Sequence, residues 1–360
     1  MTTASHYTLP LDAPSWTIDG VQQTAFTWEY DDGRDALLAL YDKGKRQQWD
    51  ARERIDWSSE LDPDNPMLLP DDTISLHGSD IWNKLNAAEL ANLRRHMQSW
   101  QISQFLHGEQ GALICAAKIV QQVQNIDAKF YAATQVIDEA RHVEAYSRLL
   151  HEKFALAYPV NKQLKGLLDD VITSKEWDFT YLGMQVVIEG LALAVFQGIR
   201  DKAQNPLAAQ VNAYVMQDEA RHVAFGRLAL RDYYPELTEA ERDRREEFLV
   251  EACYLMRDRM TPADVWEAVG LDLKACWEFH DRSVPMGKFR SRLFSRIVPT
   301  VKDIGLWGPR VRKAYEEMGV LDFATVDAAA VLEEDGRIAE EFDARRMVET
   351  AVGASLSDSA

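Results

Sequence analysis

Cysteine is scarce in this sequence. The three in 360 residues, Cys115, Cys253 and Cys276, are far apart and show no Cys-x-x-Cys spacing. This argues against a disulfide framework and a zinc–thiolate site, and it favours a reducing, cytoplasmic location. Basic residues are outnumbered, with 40 Lys and Arg against 58 Asp and Glu and a formal net charge of -18. Because like charges repel, neither nucleic acid nor an anionic membrane surface is an expected partner.

A continuous apolar run long enough to span a bilayer is not expected in this sequence either. No stretch approaches the roughly 20 apolar residues that span a bilayer, and the N-terminus lacks a basic start followed by an apolar run. No membrane span is therefore predicted. With 46% hydrophobic and 27% charged residues, the composition is that of a globular protein with a substantial apolar core.

Proline is absent between Pro70 and Pro159, and the chain there is rich in Ala, Leu, Gln, Glu and Arg. That composition is typical of long helices. Breaks at 125–127 and 205–206 divide the region into two pairs of helices, and short breaks favour antiparallel hairpins. The predicted helices are 88–123, 127–157, 176–203 and 206–233.

The sequence on either side of this region differs in composition. Residues 1–85 are rich in Pro, Asp and Trp and are expected to form an irregular N-terminal arm with a short helix near 35–57. The predicted core is 86–234, followed by a C-terminal helical layer at 235–352 and a flexible tail at 353–360. The amphipathic segments of this layer are expected to serve packing and oligomer contacts, which leaves a homodimer open; they are 239–260, 262–269, 271–280, 307–318 and 333–352.

One internal repeat stands out. The hexapeptide Asp-Glu-Ala-Arg-His-Val at 138–143 recurs 80 residues later at 218–223. The same offset relates Glu109 to Glu189, so each half of the core carries one Glu followed by Glu-x-x-His. The two halves are predicted to be one duplicated helical hairpin.

The spacing within each half has a geometric meaning. If the hairpins turn near 124 and 204–205, the lone Glu and the Glu of Glu-x-x-His lie at the same height on antiparallel helices. Four carboxylates and two imidazoles then converge, and a buried cluster of this kind is stable only if cations neutralise it. Single helix glutamates are usually solvated, but the set of six predicts two iron or manganese ions. The predicted metal ligands are Glu109, Glu139, His142, Glu189, Glu219 and His222.

The duplicated Asp and Arg predict a second layer around the ligands. A metal-bound imidazole usually donates its other N–H to a carboxylate. Asp138 and Asp218 are assigned to that role, each serving the histidine of the other hairpin, and Arg141 and Arg221 are expected to pair with these carboxylates. Surface salt bridges are the competing interpretation for the arginines.

Glu109, Glu139-x-x-His142, Glu189 and Glu219-x-x-His222 together resemble the ferritin-like superfamily. The resemblance is to its ribonucleotide-reductase-small-subunit-like branch, which includes bacterial multicomponent monooxygenase hydroxylases, acyl-carrier-protein desaturases and ligand-binding oxidases. It implies an all-α fold built on a ferritin-like four-helix bundle, with two irons or a manganese–iron pair. It also implies that Glu139 and Glu219 bridge the metals, with dioxygen, a small organic substrate and an external electron donor as partners.

Three positions depart from or extend that pattern. Monooxygenase hydroxylases and desaturases tend to carry a Thr one turn after the third ligand, where this chain has Ala192 and Leu193. Arylamine N-oxygenases add a histidine ligand one turn before the second Glu-x-x-His, where Val215 stands here, so the chain is predicted to lie outside that subclass. Tyr146 follows His142 by four residues, the place of the radical tyrosine in the reductase subunit.

The predicted function is dioxygen activation at a dimetal centre to oxidise a small, mainly apolar organic molecule. Helix faces place Phe105, Ala112 and Leu193 one turn from a ligand, as walls of a substrate pocket, with Tyr146 as the candidate catalytic side chain. The alternatives are a ferroxidase or iron-handling protein, a radical generator like the reductase subunit, and a scaffold that metal ions merely stabilise.

Overall fold

The computed structural model describes residues 33–123 and 125–337, together with Thr8, Thr24, Ala25, Thr27 and Ala344. The described part of the chain is helical and contains no β-strand. The predicted tail 353–360, the greater part of the predicted helix 333–352 and most of the first 32 residues lie outside the described residues. The all-α prediction is confirmed for the rest.

The N-terminal part holds short helices joined by irregular chain, much as its Pro- and Asp-rich sequence predicts. The single helix expected near 35–57 is instead two helices, because the chain at 47–50 is not helical. Asp50 caps the second of them by accepting a hydrogen bond from the Arg52 N–H. These helices are α1 (Asp35–Arg46), α2 (Ala51–Arg54) and α3 (Asp80–Lys84).

The central region forms the helical bundle, and its helices begin where asparagines supply caps. Asn86, Asn125 and Asn205 each accept a backbone N–H of the first turn that follows. The elements are α4 (Ala87–Gln122), α5 (Ile126–Arg148), α6 (Lys162–Thr173), α7 (Trp177–Tyr181), α8 (Glu189–Lys202) and α9 (Pro206–Tyr233). The four predicted core helices and both breaks are found, whereas α6 was not predicted.

Two π-helical segments interrupt the long helices. The chain from Leu149 to Phe154 continues α5 as π-helix, so the predicted helix 127–157 is α-helical only to Arg148. A second π segment, Leu182–Ile188, joins α7 to α8 and ends directly before Glu189. π segments of this kind frequently occur at functional sites.

The continuous helix from Trp177 to Lys202 is long and apolar enough to cross a membrane by length and composition, with mean hydropathy 1.7 in its most apolar window. The reading that no stretch of the sequence reaches this length is therefore wrong. In the structure 83% of that window is buried inside the protein. Its apolar character is accounted for by burial in the bundle, where all seven residues of its π segment are buried.

The helices beyond the bundle pack against it as an outer layer. Arg245 of this layer binds Asp178 through two hydrogen bonds of 2.9 Å, and Arg296 binds Asp335 at 2.9 and 2.7 Å. Such buried bidentate pairs fix the layer in place. The helices are α10 (Glu239–Asp258), α11 (Ala263–Ala268), α12 (Leu273–Arg282), α13 (Val284–Arg292), α14 (Ile297–Asp303) and α15 (Pro309–Glu317), and a further helix runs from 328 to at least 337.

Candidate dimetal centre

The six predicted ligands lie together in the middle of the bundle. Each of α4 and α8 contributes one Glu, and each of α5 and α9 contributes a Glu-x-x-His. All six side chains are buried, and the most exposed of them retains 5% of its surface. The structure brings the six side chains together, as the duplicated spacing predicted. Their role as metal ligands stays a prediction.

The ligand atoms form two groups. One contains an atom each from Glu109, Glu139, His142 and Glu219, and the other an atom each from Glu139, Glu189 and His222, all within 4.8 Å of one another in each group. Glu139 belongs to both groups. Glu219 Oε1 lies 3.1 Å from Nδ1 of His142 and 3.4 Å from Nδ1 of His222, so it too stands between the imidazoles.

Several of these atoms are buried without hydrogen-bond partners among the described residues. They are Oε2 of Glu139, Oε2 of Glu189, Oε1 of Glu219 and Nδ1 of His222. Distances of 3.1 to 3.4 Å separate the imidazole nitrogens from the shared carboxylates, yet those contacts lack hydrogen-bond geometry. Desolvated carboxylate oxygens that face one another are costly, and divalent cations are the partners that satisfy them. The donor set therefore fits two metal ions.

The pKa values of these side chains, with no metal present, are shifted by burial and by the charges of their neighbours. Burial and the charge of Glu219 raise the pKa of Glu109 well above its usual value, and the same two causes act on Glu189. Burial opposes ionisation of Glu139 as well, but the two imidazoles lower its pKa. Burial disfavours the charged form of His142, but Asp218 and Glu109 raise its pKa overall. Without metal, these groups share protons.

Behind the imidazoles, the two aspartates accept hydrogen bonds in a crossed arrangement. Nε2 of His142 lies 3.2 Å from Oδ2 of Asp218, and Nε2 of His222 lies 3.1 Å from Oδ2 of Asp138. Each histidine is thus oriented by the aspartate of the other hairpin. The other nitrogen, Nδ1, is the one turned toward the carboxylates of the centre.

The arginines of the repeat lie between the aspartates and are buried rather than on the surface. Arg141 donates to Asp138 at 2.5 Å and to Asp218 at 3.1 Å. Arg221 donates to Asp218 at 2.5 Å and to Asp138 at 3.3 Å. Two guanidinium groups and two carboxylates form a closed network of balanced charge, which the sequence alone left as one of two possibilities.

A segment of the N-terminal arm completes this network, and sequence reasoning missed it. Trp49 donates its indole N–H to Oδ2 of Asp218 at 2.8 Å. Gln48 donates to Oδ1 of Asp138 at 2.8 Å and accepts from Arg141, while Gln47 accepts from Arg221 at 2.8 Å. No signal near positions 47–49 marks this role, because the partners lie 90 or more residues away.

Two glutamines on the bundle side of the centre were also missed. Gln135 donates from Nε2 to Oε1 of Glu139 at 3.0 Å and to Oε1 of Glu189 at 2.9 Å. Gln185, in the π segment, lies 3.4 Å from Gln135. A signal did exist for Gln135, since it precedes Glu139 by four residues and so shares its helix face.

The predicted pocket residues lie in the densely packed core. The ring of Phe105 is tilted against that of Tyr146 with centroids 5.6 Å apart, and Phe196 completes an aromatic cluster, 4.8 Å from Phe105. Ala112 and Leu193 are buried in the same core. Tyr146 donates to Oδ1 of Asn212 at 3.2 Å, and burial with the charge of Glu109 raises its pKa well above the usual value. Its catalytic role stays a prediction.

A four-helix bundle with this converging set of glutamates and histidines defines the class of dimetal carboxylate proteins. The family model described as "P-aminobenzoate N-oxygenase AurF" matches residues 31–305. The chain belongs to this family. Membership confirms the predicted superfamily and the predicted class of enzyme, a dimetal oxidoreductase that activates dioxygen and acts on small organic molecules.

A solved structure that matches this chain with a TM-score above 0.5 has the same fold. An R2-like ligand-binding oxidase with an aerobically reconstituted metal cofactor superposes with a TM-score of 0.52 at 16% identity, over 77% of this chain and 96% of that one. A protein with aldehyde deformylating oxidase activity from Synechococcus matches with a TM-score of 0.46 at 15% identity, over 62% of this chain and 97% of that one. No curated protein matches the sequence significantly.

The prediction that the chain lies outside the arylamine N-oxygenases is wrong at the level of the family. It relied on one residue, whereas the family pattern extends over 31–305. Val215 does occupy the position in question and is fully buried, so this member of the family has an apolar side chain there. Absence of one ligand type does not define the family boundary.

Proposed function

We propose that this protein is an oxygenase whose dimetal centre, two irons or a manganese–iron pair, is held by Glu109, Glu139, His142, Glu189, Glu219 and His222. The observation that supports it is the convergence of all six buried side chains in two groups that share Glu139. Four carboxylates are neutralised by two dications, and mixed Glu and His donors suit iron and manganese. When bound, such ions supply the electrons that reduce dioxygen.

The chain's own residues orient the donors and keep water out. The crossed aspartates fix both imidazoles, and Gln135 holds Glu139 and Glu189 in place by donating to both. Phe105 and Leu193 belong to the apolar core around the centre. A dry apolar surrounding favours attack on an organic molecule over loss of the oxidant to solvent.

The first test is metal content. Protein made in iron-replete medium should return close to two metal equivalents per chain, because one dication leaves two buried carboxylate charges unbalanced. A matched variant, Glu189→Gln, removes one donor charge and should lower the value toward one. A content near zero in correctly folded protein would end the proposal.

The second test separates the oxygenase from an iron-handling protein. Reduced protein exposed to dioxygen should keep its metals, and ferrous iron added in excess should not be oxidised catalytically. Turnover of many equivalents of ferrous iron per chain, with no organic product, would favour the ferroxidase instead.

An amine is the second candidate for the group that is oxidised, because the family is described by an N-oxygenase of p-aminobenzoate. Arylamine N-oxygenases have a histidine ligand at the position of Val215, so the centre of this chain would have one nitrogen donor fewer. Supplying p-aminobenzoate together with an uncharged analogue such as aniline, and identifying the products by mass, tests whether nitrogen or carbon is attacked.

The remaining partners follow from stoichiometry and surface. An oxygenase that inserts one oxygen atom reduces the other to water, which requires two electrons from an external donor.

The exposed apolar side chains of Ile114, Phe130 and Ile137 on α4 and α5 support a homodimer, and sedimentation measures the oligomeric state. The three buried thiols support a cytoplasmic location.

A further inference from the structure

A cavity of about 750 Å³ lies at the end of the bundle where α4 meets α5. Its walls come from the α4–α5 junction around Val123, the beginning of α7 at Trp177 and the end of α9 at Ala229 and Tyr233. The volume suits a small organic ligand. None of the six predicted metal ligands lines it.

Three aromatic rings line this cavity. The ring of Trp177 lies 4.9 Å from that of Tyr233 and 5.5 Å from that of Tyr181, centroid to centroid. Tyr181 is fully buried, and its hydroxyl has no hydrogen-bond partner among the described residues. A buried hydroxyl without a partner costs free energy, which a ligand that hydrogen-bonds to it recovers.

The charges around the cavity leave a small acidic excess. Lys175 stands against Glu176 and Glu236, all three exposed, within a chain of net charge -18. Aromatic faces together with spare carboxylates attract cations. Two ion pairs at the cavity add no net charge, because each joins one cation to one anion. They are Arg34 with Asp232 at 2.5 Å and Asp178 with Arg245 at 2.9 Å.

A continuous line of contacts leads from the cavity toward the candidate metal centre. The ring of Tyr181 lies 5.1 Å from Phe225, which lies 4.5 Å from Tyr131. The Tyr131 hydroxyl is buried and has no partner among the described residues. On α5, Tyr131 precedes Gln135 by four residues and so shares its helix face, and Gln135 donates to the predicted ligand Glu139. Tyr131 therefore stands between the aromatic cavity and the centre.

The backbone makes a second connection. Tyr181 is the last residue of α7, and the π segment Leu182–Ile188 leads from it directly to Glu189. Gln185 in that segment contacts Gln135, which donates to Glu189. A ligand that moves Tyr181 would thus act on an element that carries a predicted metal ligand.

We propose that this cavity is an outer binding site that takes up a small planar organic molecule bearing an amine or other cationic group and delivers it past Tyr181 and Phe225 to the dimetal centre. The delivery role depends on the proposed function, whereas binding in the cavity does not. The rings of Trp177 and Tyr233 provide the stacking surface. The Tyr181 hydroxyl, buried in the unliganded protein, accepts an N–H of the ligand once its side chain turns toward the cavity.

Calorimetric titration of the Zn²⁺-loaded protein with benzamidinium, and with benzoate as its isosteric anion, tests the site. Benzamidinium should bind at least tenfold more tightly than benzoate. Trp177→Leu should weaken benzamidinium binding about tenfold through loss of the cation–π contact. Glu236→Gln should weaken it about threefold, and Glu316→Gln, an exposed carboxylate on α15, should leave it unchanged. Equal binding of the two probes, or binding indifferent to both cavity variants, overturns the site.

The delivery role is tested by proton relaxation of bound benzamidinium in Mn²⁺-loaded against Zn²⁺-loaded protein. The paramagnetic ion should shorten the relaxation times of the ring protons, and Ala229→Phe, which fills the cavity, should abolish both binding and this effect. Binding with no relaxation difference overturns the delivery role. Failure of substrate oxidation with both results positive would count against the proposed function and leave the cavity site standing.

Discussion

Replacement of Asp218 by Asn is expected to lower the affinity for the metal ion that His142 would bind. The affinity for the ion at His222 should not change. Asp218 Oδ2 lies 3.2 Å from Nε2 of His142 and receives further hydrogen bonds from Trp49 at 2.8 Å and Arg141 at 3.1 Å. The amide keeps the size and one acceptor oxygen but removes the charge. An imidazole that loses a carboxylate partner is a weaker and less well-oriented donor.

The expected loss is about tenfold to a hundredfold in metal affinity, or roughly 1.4 to 2.7 kcal/mol. Asp218→Ala is the poorer probe because it leaves Arg141 and Arg221 buried with a single carboxylate between them. Breaking a buried ion pair costs roughly 3 to 5 kcal/mol of folding free energy. Loss of fold and loss of orientation would then be confounded.

The assay is a calorimetric titration of metal-free protein with Mn²⁺, repeated in two double-mutant cycles. Asp218→Asn is combined with His142→Ala in one cycle and with His222→Ala in the other. Coupling is expected with His142 alone, and Asp138→Asn should give the mirror image with His222. Asp281→Asn, an exposed aspartate of α12, serves as the control that alters charge without touching the network.

Coupling of Asp218 to His222, the histidine of its own hexapeptide, would refute the crossed arrangement. Equal coupling to both histidines would show that the aspartates act through net charge and not through orientation. Chemical denaturation of each variant is the control for folding. Affinities are compared only among variants whose unfolding midpoint equals that of the parent protein.

Three further results are expected. Gln135→Leu should weaken metal binding about tenfold in the same titration, since it removes the donor shared by two carboxylates, and parental affinity would show that this amide is dispensable. Leu193→Asn should reduce substrate oxidation more than metal content; equal losses would mean that it only disturbs packing. Burial and Arg290 lower the pKa of His280 to about 4, so unfolding free energy should fall as pH drops from about 6.5 toward 4. His280→Phe should flatten that slope in denaturant midpoints measured across the range, and an unchanged slope would assign it to other groups.

The sequence predicted the bundle and the ligand convergence because both depend on local spacing. Helix composition and asparagine caps set the helix limits, so the predicted range 206–233 coincides with α9. The i,i+3 spacing of Glu-x-x-His placed its two side chains on one face of their helix. The equal distances of the glutamates from the hairpin turns placed them at the same height along neighbouring helices. The crossing of the aspartates was predicted too, from the Asp that precedes each copy of Glu-x-x-His, and the structure has it.

What sequence reasoning missed depends on long-range contact or on backbone irregularity. Trp49 reaches Asp218 across 169 positions, and no helical period relates them. The π segment Leu182–Ile188 has the same apolar composition as ordinary core helix, so its extra residue leaves no mark in the pattern. The membrane-length helix was misjudged for the related reason that a core helix and a spanning helix share composition.

Charge balance explains why so polar a cluster can lie in the core. The two aspartates and the two arginines of the outer network cancel each other's charge, and each contact is a hydrogen bond. The inner shell has four carboxylates and reaches neutrality only with two dications. Without them, burial and the charge of Glu219 raise the pKa values of Glu109 and Glu189, which favours protons in place of metal charge. Both shells are then close to neutral in either state, so burial stays tolerable while metals and protons exchange.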